Sequence, residues 1–71
     1  MTQDEKIEAL AELFDIDETE VKPDVALDAL QWDSMAMLSL IALVKSRCNR
    51  KLPGDEVRAL KTIADVFKVM E

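Results

Sequence analysis

The sequence predicts an all-α fold, a four-helix bundle of three longer helices and one short third helix, with a long first loop. Three observations carry this. One Gly, two Pro and a 4% aromatic share leave little material for strands and tight turns, while 49% apolar residues suit a compact chain. Apolar residues recur at i, i+3, i+4 and i+7 in three separate segments, the period of a helix with one buried face. The junctions between those segments hold capping residue types and helix stops.

The first helix begins near Thr2 or Gln3, with Asp4 and Glu5 in the first turn, where the positive end of the helix dipole favours acids. Ile7, Leu10, Ala11 and Phe14 then share one face, which Leu13 widens. The second helix starts at Asp33 or Ser34, both good N-caps, and buries Met37, Leu40, Ile41, Val44 and Cys48. It stops near Asn49, where CNRKLPG brings an Asn, two bases, a Pro and the only Gly. After Pro53 and Gly54, DEVRAL is long enough for the short third helix. Thr62 caps the fourth with Asp65 three places on, a capping box, and Ile63, Val66, Phe67 and Met70 face the core.

Between the first two helices, Asp15 to Asp33 form an acidic connection whose Ile16, Val21, Val25, Leu27 and Leu30 keep no regular period. These residues are expected to pin the loop to the helices, and Pro23 stops any helix from running through. The segment DIDETE invites a calcium reading, since Asp15, Asp17 and Thr19 fall at alternate places. That reading fails. Glu20 stands where such a loop turns on Gly, and Ala26 where a bidentate Glu is required.

Seventy-one residues are expected to make one domain, residues 1–71, burying roughly 60% of the surface of its unfolded chain. The net charge is −6 and lopsided: residues 1–33 carry −9, residues 34–71 +3. Such a balance argues against nucleic acid and for steering towards protein partners. A lone cysteine, Cys48, forms no internal disulfide and is expected in the core, which favours a reducing, cytoplasmic home. The amino end lacks a secretory pattern, and the apolar run Met35 to Val44 is too short to span a bilayer, so no membrane insertion is expected. A monomer is the expected state.

The second helix carries more apolar surface than one core face needs. Met35, Leu38 and Ala42 form a separate stripe, turned roughly 100 to 160° from Met37. Either the other helices enclose it or it is a ridge that meets a partner. The stripe begins beside Ser34.

Intrinsic catalysis is not expected. With no His and one Cys, the usual zinc sites and His-based triads are absent, and so small a bundle has little interior in which to shift a Lys or carboxylate pKa. Ser34 is therefore read as a hydroxyl accessible to another enzyme, or else as a simple helix cap beside Asp33. A phosphodiester placed there would face the free N–H groups of the first turn, a stabilisation of roughly 0.3 to 1 kcal/mol, offset in part by Asp33.

The acidic first helix, the long loop, WDSM opening the second helix, PGDEVRALKT and the closing TIADVF together resemble an acyl carrier protein, in order and spacing over essentially the whole chain. The resemblance implies that Ser34 receives a 4′-phosphopantetheine arm from coenzyme A through a magnesium-dependent phosphopantetheinyl transferase. The arm's thiol would hold an acyl or aminoacyl group as a thioester for successive loading and processing enzymes. It further implies that Asp33, Met35 and Leu38 lie on the surface those enzymes read, and the helical wheel adds Ala42.

Three departures stand out. Met35 replaces the usual Leu, a mild exchange. The Gly common two or three places before the Ser is missing, and LQW in its place predicts a stiffer approach, with Trp32 either packing on the bundle or flanking the arm. Family members serving fatty acid synthesis usually have an acidic second helix, whereas this one offers Ala36, Ser39, Lys45, Ser46 and Arg47, so a specialised carrier with dedicated partners is expected. Two other classes are weighed against it: an acidic helical adaptor docking through Met35, Leu38 and Ala42, and a hydrolase using Ser34, which has no evident base.

Overall fold

The computed structural model covers residues 1–71 and is helical throughout, without strands. Four α-helices follow in order: α1 (Gln3–Phe14), α2 (Ser34–Cys48), α3 (Gly54–Arg58) and α4 (Ile63–Val69). The long first loop is not bare, as its irregular hydrophobicity implied. It holds two 3-10 turns, Glu18–Glu20 and Leu27–Ala29. The first is built locally, because the Asp17 carboxylate accepts from Thr19 N–H at 3.1 Å while Glu20 reaches back to Asp17 N–H at 3.0 Å.

Each helix end has a cause in the sequence. Thr2 and Glu5 close a reciprocal capping box on α1, at 3.2 and 2.8 Å. Asp15 ends that helix in the left-handed region, φ 56°, and Ile16 N–H bonds the Ala11 carbonyl at 3.0 Å. Asn49 ends α2 in the same way, φ 51°, as the Asn-containing stop predicts. Thr62 and Asp65 cap α4 with the predicted box, Asp65 N–H donating to Thr62 Oγ1 at 3.3 Å. On α3, Gly54 gives Arg58 room: a Cβ there would stand 3.1 Å from Arg58 Nη1.

Fifteen residues form one hydrophobic cluster. α1 contributes Leu10, Ala11 and Phe14, α2 contributes Ala36, Leu40 and Val44, and α4 contributes Ile63, Val66, Phe67 and Val69, with Met70 behind it. Val21 and Leu27 pin the loop from within, and Ile16, Val25 and Leu30 pack against the cluster. Trp32 also packs on it, its ring centroid 6.1 Å from that of Phe14 with the planes at 50°.

Four residues, Ala36, Met37, Ile41 and Cys48, are placed differently from the sequence reading. Ala36, expected on the open side of α2, is buried, while Met37 and Ile41 of the predicted core stripe are only partly covered. Cys48, expected in the core, is half-exposed, and its Sγ lies 3.2 Å from the Met70 carbonyl. Lys6 is buried at 7% exposure although it is charged. Its stem packs while its amine stays wet, since no buried polar atom lacks a partner.

The loop is latched to α4 through backbone groups. Ile63 N–H donates to the Val25 carbonyl and Ala64 N–H to that of Pro23, both at 3.0 Å, and Leu27 N–H donates to the Lys61 carbonyl at 2.8 Å. Ala26 and Thr62 thereby form an isolated antiparallel bridge. The first N–H groups of a helix have no partner within it, so the loop supplies what α4 lacks. Arg50 does the converse at the other end of α4, its Nη1 lying 3.4 Å from the Lys68 and Val69 carbonyls.

Candidate functional site

The start of α2 is built differently. Asp33 is its N-cap, the carboxylate accepting from Ala36 N–H at 2.9 Å, so capping is done by the residue before Ser34. Ser34 is the first helical residue, it is exposed, and its hydroxyl bonds no protein group. The N–H groups of Ser34 and Met35 likewise donate to nothing in the protein. The two candidate roles at this junction thus fall on different side chains: Asp33 caps, and Ser34 is left free.

Beside Ser34 runs the second apolar stripe of α2. Met35 is 73% exposed and Leu38 63%, the two large hydrophobic residues that the fold leaves in solvent, and Ala42 is exposed one turn further on. The other helices do not enclose this stripe. From Met35 to Ala42 it spans about 10 Å along the axis. Beyond it stand Lys45 and Ser46, both exposed, and no acid occurs anywhere in Ser34–Cys48. Arg47 points elsewhere, 3.6 Å from Glu5 on α1 across two half-exposed side chains, a pair worth little.

On the other flank of Ser34 lies a cleft of about 310 Å³ lined by Asp28, Trp32, Met37, Arg58, Leu60 and Lys61. Trp32 both packs on Phe14 and borders this cleft, so its two readings are compatible. No group of His, Cys, Asp and Glu side chains is arranged to hold a metal ion.

A family model described as the phosphopantetheine attachment site matches residues 7–69. The chain belongs to the acyl carrier protein family. It is 30% identical to an acyl carrier protein of Micrococcus luteus over 99% of this chain and 93% of that protein. It is also 30% identical to an acyl carrier protein of Myxococcus xanthus, over 90% of this chain and 87% of the relative. No solved structure matches the chain significantly. The cofactor of this family is covalent 4′-phosphopantetheine, and its members meet modifying and pathway enzymes. No helix is long and apolar enough to cross a membrane.

The residues at the start of α2 fit that group. An exposed hydroxyl offers a point of attachment, two N–H groups without a protein acceptor stand at the same helix head, where an anion would be favoured, and the Asp33 carboxylate already accepts from Ala36 N–H. When bound, the group supplies a thiol that holds acyl chains as thioesters.

Proposed function

We propose that residues 1–71 form one carrier domain in which Ser34 is the residue that bears the arm, and that the protein is a cytoplasmic monomer without catalytic activity of its own. The single observation behind this is the division of labour at the head of α2. Asp33 satisfies Ala36 N–H, and that leaves the Ser34 hydroxyl uncommitted and in solvent within a chain that belongs to a carrier family.

Met35, Leu38 and Ala42, with Asp33 at their head, are the surface that partner enzymes grip. The position of the ridge supports this, because a catalytic surface that holds it presents Ser34 at its edge. The adaptor alternative uses the same ridge but gives no role to the free hydroxyl beside it. An α2 without acids, ending in Lys45, favours partners with acidic rather than basic rims, and hence a specialised acyl or aminoacyl pathway.

Intact mass spectrometry tests the assignment. Incubation with coenzyme A, magnesium and a broad-specificity phosphopantetheinyl transferase is expected to add one arm to the wild type and none to Ser34→Ala. Loading of both forms, or of neither, contradicts it.

A further inference from the structure

A groove of about 450 Å³ runs between α1 and α2, lined by Ala9, Glu12, Leu13, Ser39, Leu43 and Arg47. Its floor is apolar: Ala9, Leu13 and Leu43 pack against the core yet are only partly covered. Its α1 wall is acidic. Glu5, Glu8 and Glu12 fall at i, i+3 and i+7 in one stripe, and a smaller cleft lined by all three shares Ala9 and Arg47 with the groove. Arg47 is the one cation of the two clefts and stands beside Glu5, so the exposed carboxylates of Glu8 and Glu12 have no ion-pair partner in the molecule.

The placement of the groove separates it from the ridge. Counted around α2 from Ser34, Leu38, Ala42 and Met35 occupy roughly 40 to 100°, whereas Ser39, Leu43 and Arg47 occupy roughly 140 to 220°. The groove therefore lies beyond the ridge, and Lys45, at roughly 20°, stands on the ridge's opposite side. A surface that reads the ridge meets Lys45, while a segment that fills the groove meets Glu8 and Glu12. The two contacts call for opposite charge.

We propose that this groove is a second docking site and that its occupant is a basic amphipathic helical segment of a partner protein. From Ser39 to Arg47 the groove runs about 12 Å, two turns of a helix. Two apolar side chains one turn apart on such a segment cover Leu13 and Leu43, and flanking Lys or Arg residues meet Glu8 and Glu12. Because those acids are exposed, apolar contact supplies most of the affinity and the acids select the segment. A segment held there leaves the Ser34 hydroxyl open, which suits a tether that keeps carrier and enzyme together between reactions. The docking is independent of Ser34, and its use as a tether rests on Ser34 bearing the arm.

The test titrates ¹⁵N-labelled apo protein with an amidated peptide of about 14 residues, leucines and lysines set at helical spacing, and follows it by NMR. Shifts are expected at Ala9, Leu13, Ser39 and Leu43, with Ser34 and Met35 unmoved. Glutamates in place of the peptide's lysines should abolish binding, and alanines in place of its leucines should weaken it about tenfold. Glu8→Lys/Glu12→Lys should weaken it about fivefold. Glu18→Lys/Asp24→Lys changes the net charge equally at exposed loop positions and should weaken it less than about twofold. Shifts centred on the ridge or the first loop, equal losses in the two charge variants, or no binding would overturn the docking site and leave the assignment of Ser34 untouched. A wild type that accepts no arm overturns that assignment and the tether with it, but not the docking.

Discussion

The two helices α4 and α2 begin alike, with a β-region cap residue whose side chain accepts the N–H of the residue three places on, and then they diverge. At α4 the loop carbonyls of Val25 and Pro23 take the next free N–H groups, and the head of the helix is closed. At α2 nothing does so beyond Asp33. The bodies of the helices differ in the same sense: α4 buries four of its seven residues and α2 three of its fifteen. α2 nonetheless holds the longest apolar run of the chain, Met35 to Val44 broken only by Ser39. Apolar content and burial have come apart there, and they come apart beside the one free hydroxyl. α4 is a structural element, and α2 serves the core with one side and the outside with the other.

The largest expected effect divides two leucines two places apart on α2. Leu40 is fully buried, so Leu40→Ala should cost about 2–5 kcal/mol, much of the stability of a domain this small. Leu38→Ala should stay within about 0.5 kcal/mol, yet raise the KM of the transferase for this protein severalfold. Thermal melts and transferase kinetics on the pair check this, and a large loss of stability at Leu38 would break the two-sided view of α2.

A smaller effect separates the helix heads. Thr62→Ala removes a cap and should cost about 1 kcal/mol, as should Asp33→Ala. Ser34→Ala removes no hydrogen bond and should leave urea midpoints nearly unchanged. Equal losses at all three positions would mean that Ser34 is part of the cap after all.

The smallest concerns acid. Three carboxylates are held below their ordinary values: Glu5 by Thr2 N–H and then its hydroxyl, Asp17 by the Thr19 hydroxyl and then its N–H, and Asp65 by the N–H groups of Lys61 and Thr62. A folded value below the unfolded one favours the charged form of the native state. Its contribution is therefore complete above the ordinary carboxylate range and is lost as pH falls from about 4 through the lowered values. Melting temperature should be flat between pH 7 and about pH 5 and decline below about 4, and Asp65→Asn should make that decline shallower.

Much of this was legible in the sequence where the cause is local. The Thr62 and Asp65 box, the Asn49 stop, the α4 stripe and the separate line of Met35, Leu38 and Ala42 follow from spacing and side-chain chemistry within one or two turns. What escaped depends on distant neighbours. Ala36 sits on the margin between the two sides of α2, and only the packing of the other helices decides that so small a residue is covered. Lys6 carries a charge that hides an apolar stem. The Ala26–Thr62 bridge pairs positions 36 apart with no alternating pattern to announce it. The Asp17 and Glu20 box is the exception, a local signal inside a segment whose apolar residues keep no regular period.

Ser34 could be proposed as the attachment point from the chain alone, but the choice between Asp33 and Ser34 as the cap needed geometry. That choice is the centre of the account, and α2 contains its own control. It carries three exposed serines, Ser34, Ser39 and Ser46, and only the first is at the open helix head. Tandem mass spectrometry of the transferase-treated wild type should place the whole of the added phosphopantetheine on Ser34. An arm found on Ser39 or Ser46, or shared among the three, would contradict the claim that the open head of α2 is what the modifying enzyme reads.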